Sequence, residues 1–330
     1  PADIRSLTIA ELNMLAQEIR ELIIQVVASH GGHLASSLGT VELTLALHYV
    51  FNTPEDTLIW DVGHQAYAHK IITGRKDEFR NLRKKSGISG FPRREESAYD
   101  AFNVGHSGTS ISAAIGFTEA ACLKGQTHKA IAVIGDGSMT SGMAFEGLNW
   151  AGDRKKNMII VLNDNEMSIS SNVGAMSSYL NRVMTGRKIT TLKADIKRFL
   201  NSIHGIGGNV IKVAQKIEEI LKTMMVPGAL FEEMGFTYVG PLEGHRLDHL
   251  LKTFKNIKEM NGPILVHVVT QKGKGYQFAE EDPHGFHGVA SFDVATGRLV
   301  SPSAIPTYTK VFGKTLVKLA HRDSRIVAIT

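Results

Sequence analysis

The stretch that most limits what this chain can fold into is Ala130–Ser170, AIAVIGDGSMTSGMAFEGLNWAGDRKKNMIIVLNDNEMSIS. Two apolar, β-forming runs, Ala130–Ile134 and Met158–Leu162, each break into a polar tip, Gly135-Asp136-Gly137-Ser138 and Asn163-Asp164-Asn165. One helix's worth of chain lies between them, so the unit reads as βαβ, and both tips should emerge at one carboxyl edge of a parallel sheet. Open α/β sheets bind their ligands at that edge. Asp136 and Asn165 should then face each other, as oxygen donors of the kind a hard cation such as Mg²⁺ takes beside waters and phosphate oxygens. A helix starting near Met139 would point free N–H groups at the same phosphates.

The rest of the chain supports an α/β class with a parallel sheet flanked by helices. Thr8–Ser29 carries Leu12, Leu15, Ile19, Leu22 and Val26 at helical spacing, and Thr8 with Glu11 forms a capping box. A second helix is expected from Thr40 to Val50 and a buried strand over Leu58–Val62, with a further helix beginning at or near His64. Ser86–Asn103 reads as a loop, and Ile111–Leu123 as a helix whose Ala113, Ala114 and Gly116 allow close packing on the sheet. After the central unit, a strand is expected at Phe236–Val239, a helix at Arg246–Met260 and a strand central to the sheet at Ile264–Thr270. That last strand ends in another polar tip, Gln271-Lys272-Gly273-Lys274-Gly275-Tyr276. Residues 171–225 are the least legible, and are expected to be a flexible insertion with dimer contacts. A Ser/Pro-rich linker, Ser301–Pro306, should close a first domain spanning 1–305. A helix over Thr307–Ala320 and a strand over Arg325–Ile329 would then begin a second α/β domain, 306–330, whose remainder lies beyond this sequence.

Charge and cysteine usage narrow the function. The net charge is +5, with a basic run at Arg80, Arg83, Lys84, Lys85, Arg93 and Arg94, but no aromatic residues interleave with it and no nucleic-acid motif accompanies it. A solvated face that helps attract anionic substrates is the expected role. No apolar run approaches the ~18 residues of a membrane span and the first residues do not open a signal peptide, so a cytoplasmic enzyme is expected. The one cysteine, Cys122, should be a buried, inert thiol in an apolar helix. Zinc is not expected at HGGH (30–33) or HGFH (284–287), because neither a Cys cluster nor an HExxH helix supports it. With fourteen histidines, several must be incidental, His30 and His284 among them.

GDGSMTSGMAFEGLN, LNDNEMSIS, LIWDVGHQAYAHKIITGR and NVGHSGTSISAAIG together resemble the 1-deoxy-D-xylulose-5-phosphate synthase family, a thiamine-diphosphate-dependent, transketolase-like group. The similarity runs on through VPGALFEEMGFTYVGPLEGH to TYTKVFGKTL. The resemblance implies a diphosphate-binding domain followed by the start of a pyrimidine-binding one. It makes Asp136, Asn165 and the backbone carbonyl of Met167 the Mg²⁺ ligands. It assigns cofactor contacts to His64, Gly105, His106, Ser107, Gly137, Ser138, Asn165 and Tyr276, and proton or substrate handling to His33 and His287. The implied reaction decarboxylates pyruvate on thiamine diphosphate and joins the two-carbon unit to glyceraldehyde 3-phosphate, supplying isoprenoid, thiamine and pyridoxal precursors in a homodimeric enzyme. The glutamate that activates the cofactor belongs to the pyrimidine-binding domain, so residues 1–330 alone are expected to be inactive. Transketolase-type ketol transfer and a non-catalytic cofactor-binding fragment are the alternatives.

Overall fold

A computed structural model describes residues 1–165, 175, 228–300 and 305–328. The expected insertion 171–225 and Met167 lie outside these residues, Ala175 alone excepted. Five strands, β1 (Thr57–Trp60), β2 (Ala130–Gly135), β3 (Met158–Asp164), β4 (Thr237–Glu243) and β5 (Ile264–Val269), form one sheet in the order β1-β2-β3-β5-β4. Every pairing is parallel, with Ala130 opposite Met158 and Ile159 opposite Ile264 in the centre. The apolar runs at Ala130 and Met158 are therefore adjacent strands, and β5 lies inside the sheet as its composition requires.

Alternation along the strands divides the core into two layers. Leu58, Trp60, Ile131, Val133, Ile159, Val161, Ile264 and Val266 face the helices Ile9–His30, Val41–Val50 and Leu247–Lys258. Ile59, Ala132, Ile134, Ile160, Leu162 and Leu265 face the helices Ser110–Leu123 and Gly142–Asp153. Both faces of the sheet are covered, as a parallel sheet demands. The Thr8 capping box is present, with the Thr8 amide donating to Glu11 Oε2 at 2.8 Å.

Several expectations need correction. The helix expected from Met139 is split into a four-residue turn, Asp136–Met139, and the helix Gly142–Asp153, which Ser141 caps by accepting from the Ala144 amide at 3.3 Å. Gly137 and Ser138 belong to the turn, so the long helix does not aim its N-terminus through them. The helix after β1 begins at Tyr67 rather than at His64, because the Asp61–Gln65 tip is needed to turn the chain. On Ser110–Leu123, Ala114 packs inward, but Gly116 and Cys122 are on the outer face and the thiol is exposed. Small size permitted close packing at Gly116; the helical phase assigned it elsewhere. The helix Tyr308–Arg322 is present and capped by Thr307, yet none of its residues is buried. The strand expected at 325–329 does not form over its described part, 325–328, where Val327 is exposed and no strand among the described residues lies alongside. A short apolar run has no ladder to join without such a neighbour.

Candidate active site

The carboxyl tips of β1, β2, β3 and β5 converge as the βαβ argument requires. With residues from three loops they enclose a cleft of about 520 Å³. It is lined by His33, His64, Gly105, His106, Ser107, Asp136, Gly137, Ser138, Asn165 and His287, which are ten of the expected site residues. Met167 lies outside the described residues.

Asp136 and Asn165 have the character of ligands to a cation. Burial, reinforced by the negative charge of Asp164 and partly offset by Lys272, pushes the Asp136 carboxyl up to about 7. A divalent cation there would reverse that cost, since its charge outweighs the local terms. Asn165 Oδ1 is buried with no hydrogen-bond partner among the described residues. A carboxylate and an orphaned amide oxygen at adjacent strand tips fit a hard cation such as Mg²⁺. Asn163 is not available in the same way, because its Oδ1 accepts from Thr270 Oγ1 at 2.7 Å.

Three imidazoles form the opposite wall. A two-way backbone bridge, Gly32 N–H to Val289 O and Val289 N–H to Gly32 O, both 2.9 Å, ties the chain before His33 to the chain after His287. The His33 amide donates to the Tyr67 hydroxyl at 3.1 Å, and a Cβ at Gly32 would sit 2.7 Å from that oxygen, so only glycine fits. The His33 ring lies 5.6 Å from that of His287 and 5.9 Å from that of His64, and His64 and His287 are 5.2 Å apart. Burial, then the neighbouring imidazoles and Lys272, which would repel a second proton charge, pushes His64 down to about 3 and His287 to about 4. Burial and the charge of Arg83 also lower His33. All three are therefore neutral at pH 7, able to accept, donate or carry a proton without bringing a fixed charge. Nδ1 of His33 and of His64 is buried without a partner among the described residues, whereas His287 Nδ1 is 3.2 Å from Ser36 Oγ.

The sequence reading missed several contributors. Lys272 lines the cleft at 6% exposure, with burial lowering its ammonium and Asp136 opposing that shift. Its signal was present in the polar tip after β5, where the resemblance pointed to Tyr276 instead. Tyr276 is not in the cleft lining: its ring packs against Phe278, Phe286 and Phe292, and its hydroxyl donates to Val294 O at 2.9 Å. A tyrosine after a glycine-rich tip turns inward here because an aromatic cluster receives it, and its contact with the site is indirect, through Phe286 next to His287. Asp61 at the β1 tip accepts from the Gly108 and Ser110 amides at 2.9 and 3.0 Å, so one buried carboxylate holds the loop that presents Gly105, His106 and Ser107. The next residue, Val62, lines the cleft at φ 61°, a left-handed conformation that costs a β-branched residue.

The comparisons with known proteins agree with this geometry. A 1-deoxy-D-xylulose-5-phosphate synthase from Syntrophus aciditrophicus is 62% identical over all of this chain, and one from Syntrophotalea carbinolica is 57% identical. The chain spans about half the length of these curated relatives, 51% and 52%. The transketolase of Campylobacter jejuni superimposes with a TM-score of 0.62 over 96% of this chain and 48% of its own, at 20% identity, which shows a shared fold. The sequence profile described as 1-deoxy-D-xylulose-5-phosphate synthase matches residues 1–270, and with the strand-tip cleft in place the chain belongs to that family.

Proposed function

We infer that this chain is the diphosphate-binding part of a 1-deoxy-D-xylulose-5-phosphate synthase, which decarboxylates pyruvate and ligates the two-carbon unit to glyceraldehyde 3-phosphate. The observation that carries the reading is the convergence, in one cleft, of two oxygen-donor side chains, the buried Asp136 carboxylate and the Asn165 amide, with three neutral imidazoles, His33, His64 and His287. Asp136, Asn165 and the Met167 carbonyl would hold Mg²⁺. Gly137, Ser138, Gly105, His106, Ser107 and His64 would receive the diphosphate of thiamine diphosphate, and Lys272 would add a cation to that anionic group. When bound, thiamine diphosphate supplies the carbanion chemistry that neither protein side chains nor Mg²⁺ can perform. His33 and His287 would orient the substrate carbonyl and carry a proton to or from its oxygen, which neutral imidazoles can do without repelling the Lys272 ammonium. Phe91 and Val62 would keep water from that end of the cleft.

A homodimer in the cytoplasm completes the reading. Exposed Leu123, Met143, Phe145 and Trp150 on the helices Ser110–Leu123 and Gly142–Asp153 support a partner on that face. We place the first domain at 1–305 and the start of a pyrimidine-binding domain at 306–330. Catalysis is expected to need the half of the relatives' length that these residues do not span, so the 330 residues alone should be inactive. The test incubates the full-length protein with Mg²⁺, thiamine diphosphate, pyruvate and glyceraldehyde 3-phosphate and follows CO₂ and the pentulose phosphate. Turnover with a ketose phosphate as donor, and none with pyruvate, would make it a transketolase-type enzyme instead. Turnover by residues 1–330 alone would place the activating group within them.

A further inference from the structure

Residues 86–103 contain no helix or strand, yet this irregular segment supplies Phe91 to the cleft wall. An 18-residue loop inside a domain has to be held by something other than a backbone ladder. Side-chain carboxylates do this. Glu96 Oε1 accepts from the Ser89 amide at 2.6 Å, and Asp100 Oδ2 accepts from the Arg93 amide at 2.7 Å. Both carboxylates are in turn gripped from the segment 69–75. Lys70 Nζ donates to Glu96 Oε2 at 2.5 Å, Arg75 donates twice to Asp100 at 2.7 and 2.8 Å, and His69 Nε2 lies 2.9 Å from Asp100 Oδ1.

The proton arrangement in this cluster is determined. Asp100 can only accept, so His69 carries its proton on Nε2 and offers Nδ1 as an acceptor. His48 Nε2, 2.9 Å away, must then be the donor, and its Nδ1 accepts from Thr53 Oγ1 at 2.8 Å. Two carboxylates and two cations close the charge, and both histidines stay neutral. Burial alone would raise the Asp100 carboxyl, but the hydrogen bonds from His69 and Arg75 and the charge of Arg75 hold it below the usual carboxylate range.

The segment held this way rests on two site histidines. The Phe91 ring is 5.5 Å from that of His33. At Gly63, just before His64, a Cβ would come within 2.6 Å of Val104, 2.7 Å of Pro92 and 3.3 Å of Phe91, so the loop is seated directly on the turn that carries His64. We propose that Asp100, oriented by His69 and Arg75, is a positioning residue for the cleft: it holds the 89–100 segment so that Phe91 and Pro92 confine His33 and the Gly63–His64 turn. The consequence for turnover rests on the function inferred above, whereas the positioning itself can be read on the ligand-free chain.

The test compares Asp100→Asn with the unsubstituted chain by amide hydrogen exchange and by the ring-current shift that Phe91 imposes on the His33 imidazole protons. Asparagine keeps the shape but turns an N–H₂ toward donors. Exchange at Arg93 is expected to rise roughly tenfold or more, as for a lost charge-assisted hydrogen bond, and the His33 signals should move. The Gly108 and Ser110 amides, held by Asp61, should keep their protection. In a second pair, His69→Gln can still donate to Asp100 and should preserve Arg93 protection, while His69→Leu should lose it. If Asp100→Asn does not fold, this pair decides the question. A lower melting temperature with Arg93 exchange and the His33 signals unchanged, or equal behaviour of His69→Gln and His69→Leu, would overturn the proposal and leave the cluster as core packing. Failure of synthase activity in the full-length protein would leave these readouts untouched.

Discussion

Two groups of histidines meet in the Asp61–Arg75 stretch, which carries His64 of one and His69 of the other, and they differ in what is left for a ligand. In the cleft, Nδ1 of His33 and of His64 has no partner among the described residues, and the His33 ring meets those of His64 and His287 edge to face. In the 48–100 cluster, every ring nitrogen is engaged, in the order Thr53, His48, His69, Asp100. Burial lowers the proton affinity of both groups, so a depressed pKa alone does not separate a site from a scaffold. The difference lies in unspent hydrogen-bonding capacity. Buried polar atoms normally find partners, and those that do not, aimed into a cleft, are held ready for something absent from the chain.

The largest effect should come from Asp136→Ala, which is expected to abolish Mg²⁺-dependent binding of thiamine diphosphate in calorimetry. The fold should be unharmed, because the change also removes a carboxylate held beside Asp164 at a desolvation cost. Unaltered affinity would remove the metal assignment. Asn165→Ala should act in the same direction but more mildly.

The two histidine groups should then respond in opposite ways. Replacing His33 or His287 by Ala in the full-length enzyme should lower turnover by roughly 10²–10⁴-fold, the range for proton-handling groups, with little change in melting temperature. His69→Leu removes a neutral donor to a buried carboxylate that Arg75 still holds, and should cost about 1.5–3 kcal/mol in urea unfolding. Equal stability losses in both groups would erase the distinction drawn between them.

Acid should sharpen the contrast further. Burial, then the closeness of His69, which would repel a second proton charge, holds His48 well below 6.5, and burial, against the pull of Asp100, lowers His69. Since the folded values lie below the unfolded one, the unfolded chain binds more protons as pH falls. The stability these groups contribute is complete above the unfolded pKa and declines as pH drops below about 6.5, by up to about 1.4 kcal/mol per pH unit for each histidine. His48 is faced by Thr53, His69, Tyr99 and the charges of Arg5, Arg75 and the N-terminus, which oppose its protonation. Unfolding midpoints at pH 7 and 5.5 for the unsubstituted chain and His48→Gln provide the check, with a shallower acid dependence expected in the variant.

The smallest effect belongs to Tyr276→Phe. It deletes one hydrogen bond, to Val294 O, and should cost about 1 kcal/mol without changing cofactor affinity. A marked loss of affinity would return Tyr276 to the cleft as the family resemblance has it.

Much of this protein was legible without coordinates because its signals are local. The apolar runs at 130–134, 158–162 and 264–270 have strand length and end in polar tips, and a parallel sheet leaves those tips no other place than its carboxyl edge. The Thr8 cap is likewise a matter of residues three positions apart. Ten expected site residues could be brought to one cleft because they occur in short words, GDGS, GHS, DVGH, NDN, HGGH and HGFH, that keep their meaning out of context. What only the tertiary structure decided depends on side chains meeting across long stretches of sequence. Lys272 joins Asp136 through the adjacency of β2, β3 and β5. Asp61 reaches the 108–110 amides, and Asp100 reaches back to His69 and Arg75. Cys122 was misplaced, and Tyr276 packs outside the cleft lining, for the same reason: a residue's type states what it can bury or bond, and only the phase of its element and the neighbours packed on it decide which of those it does.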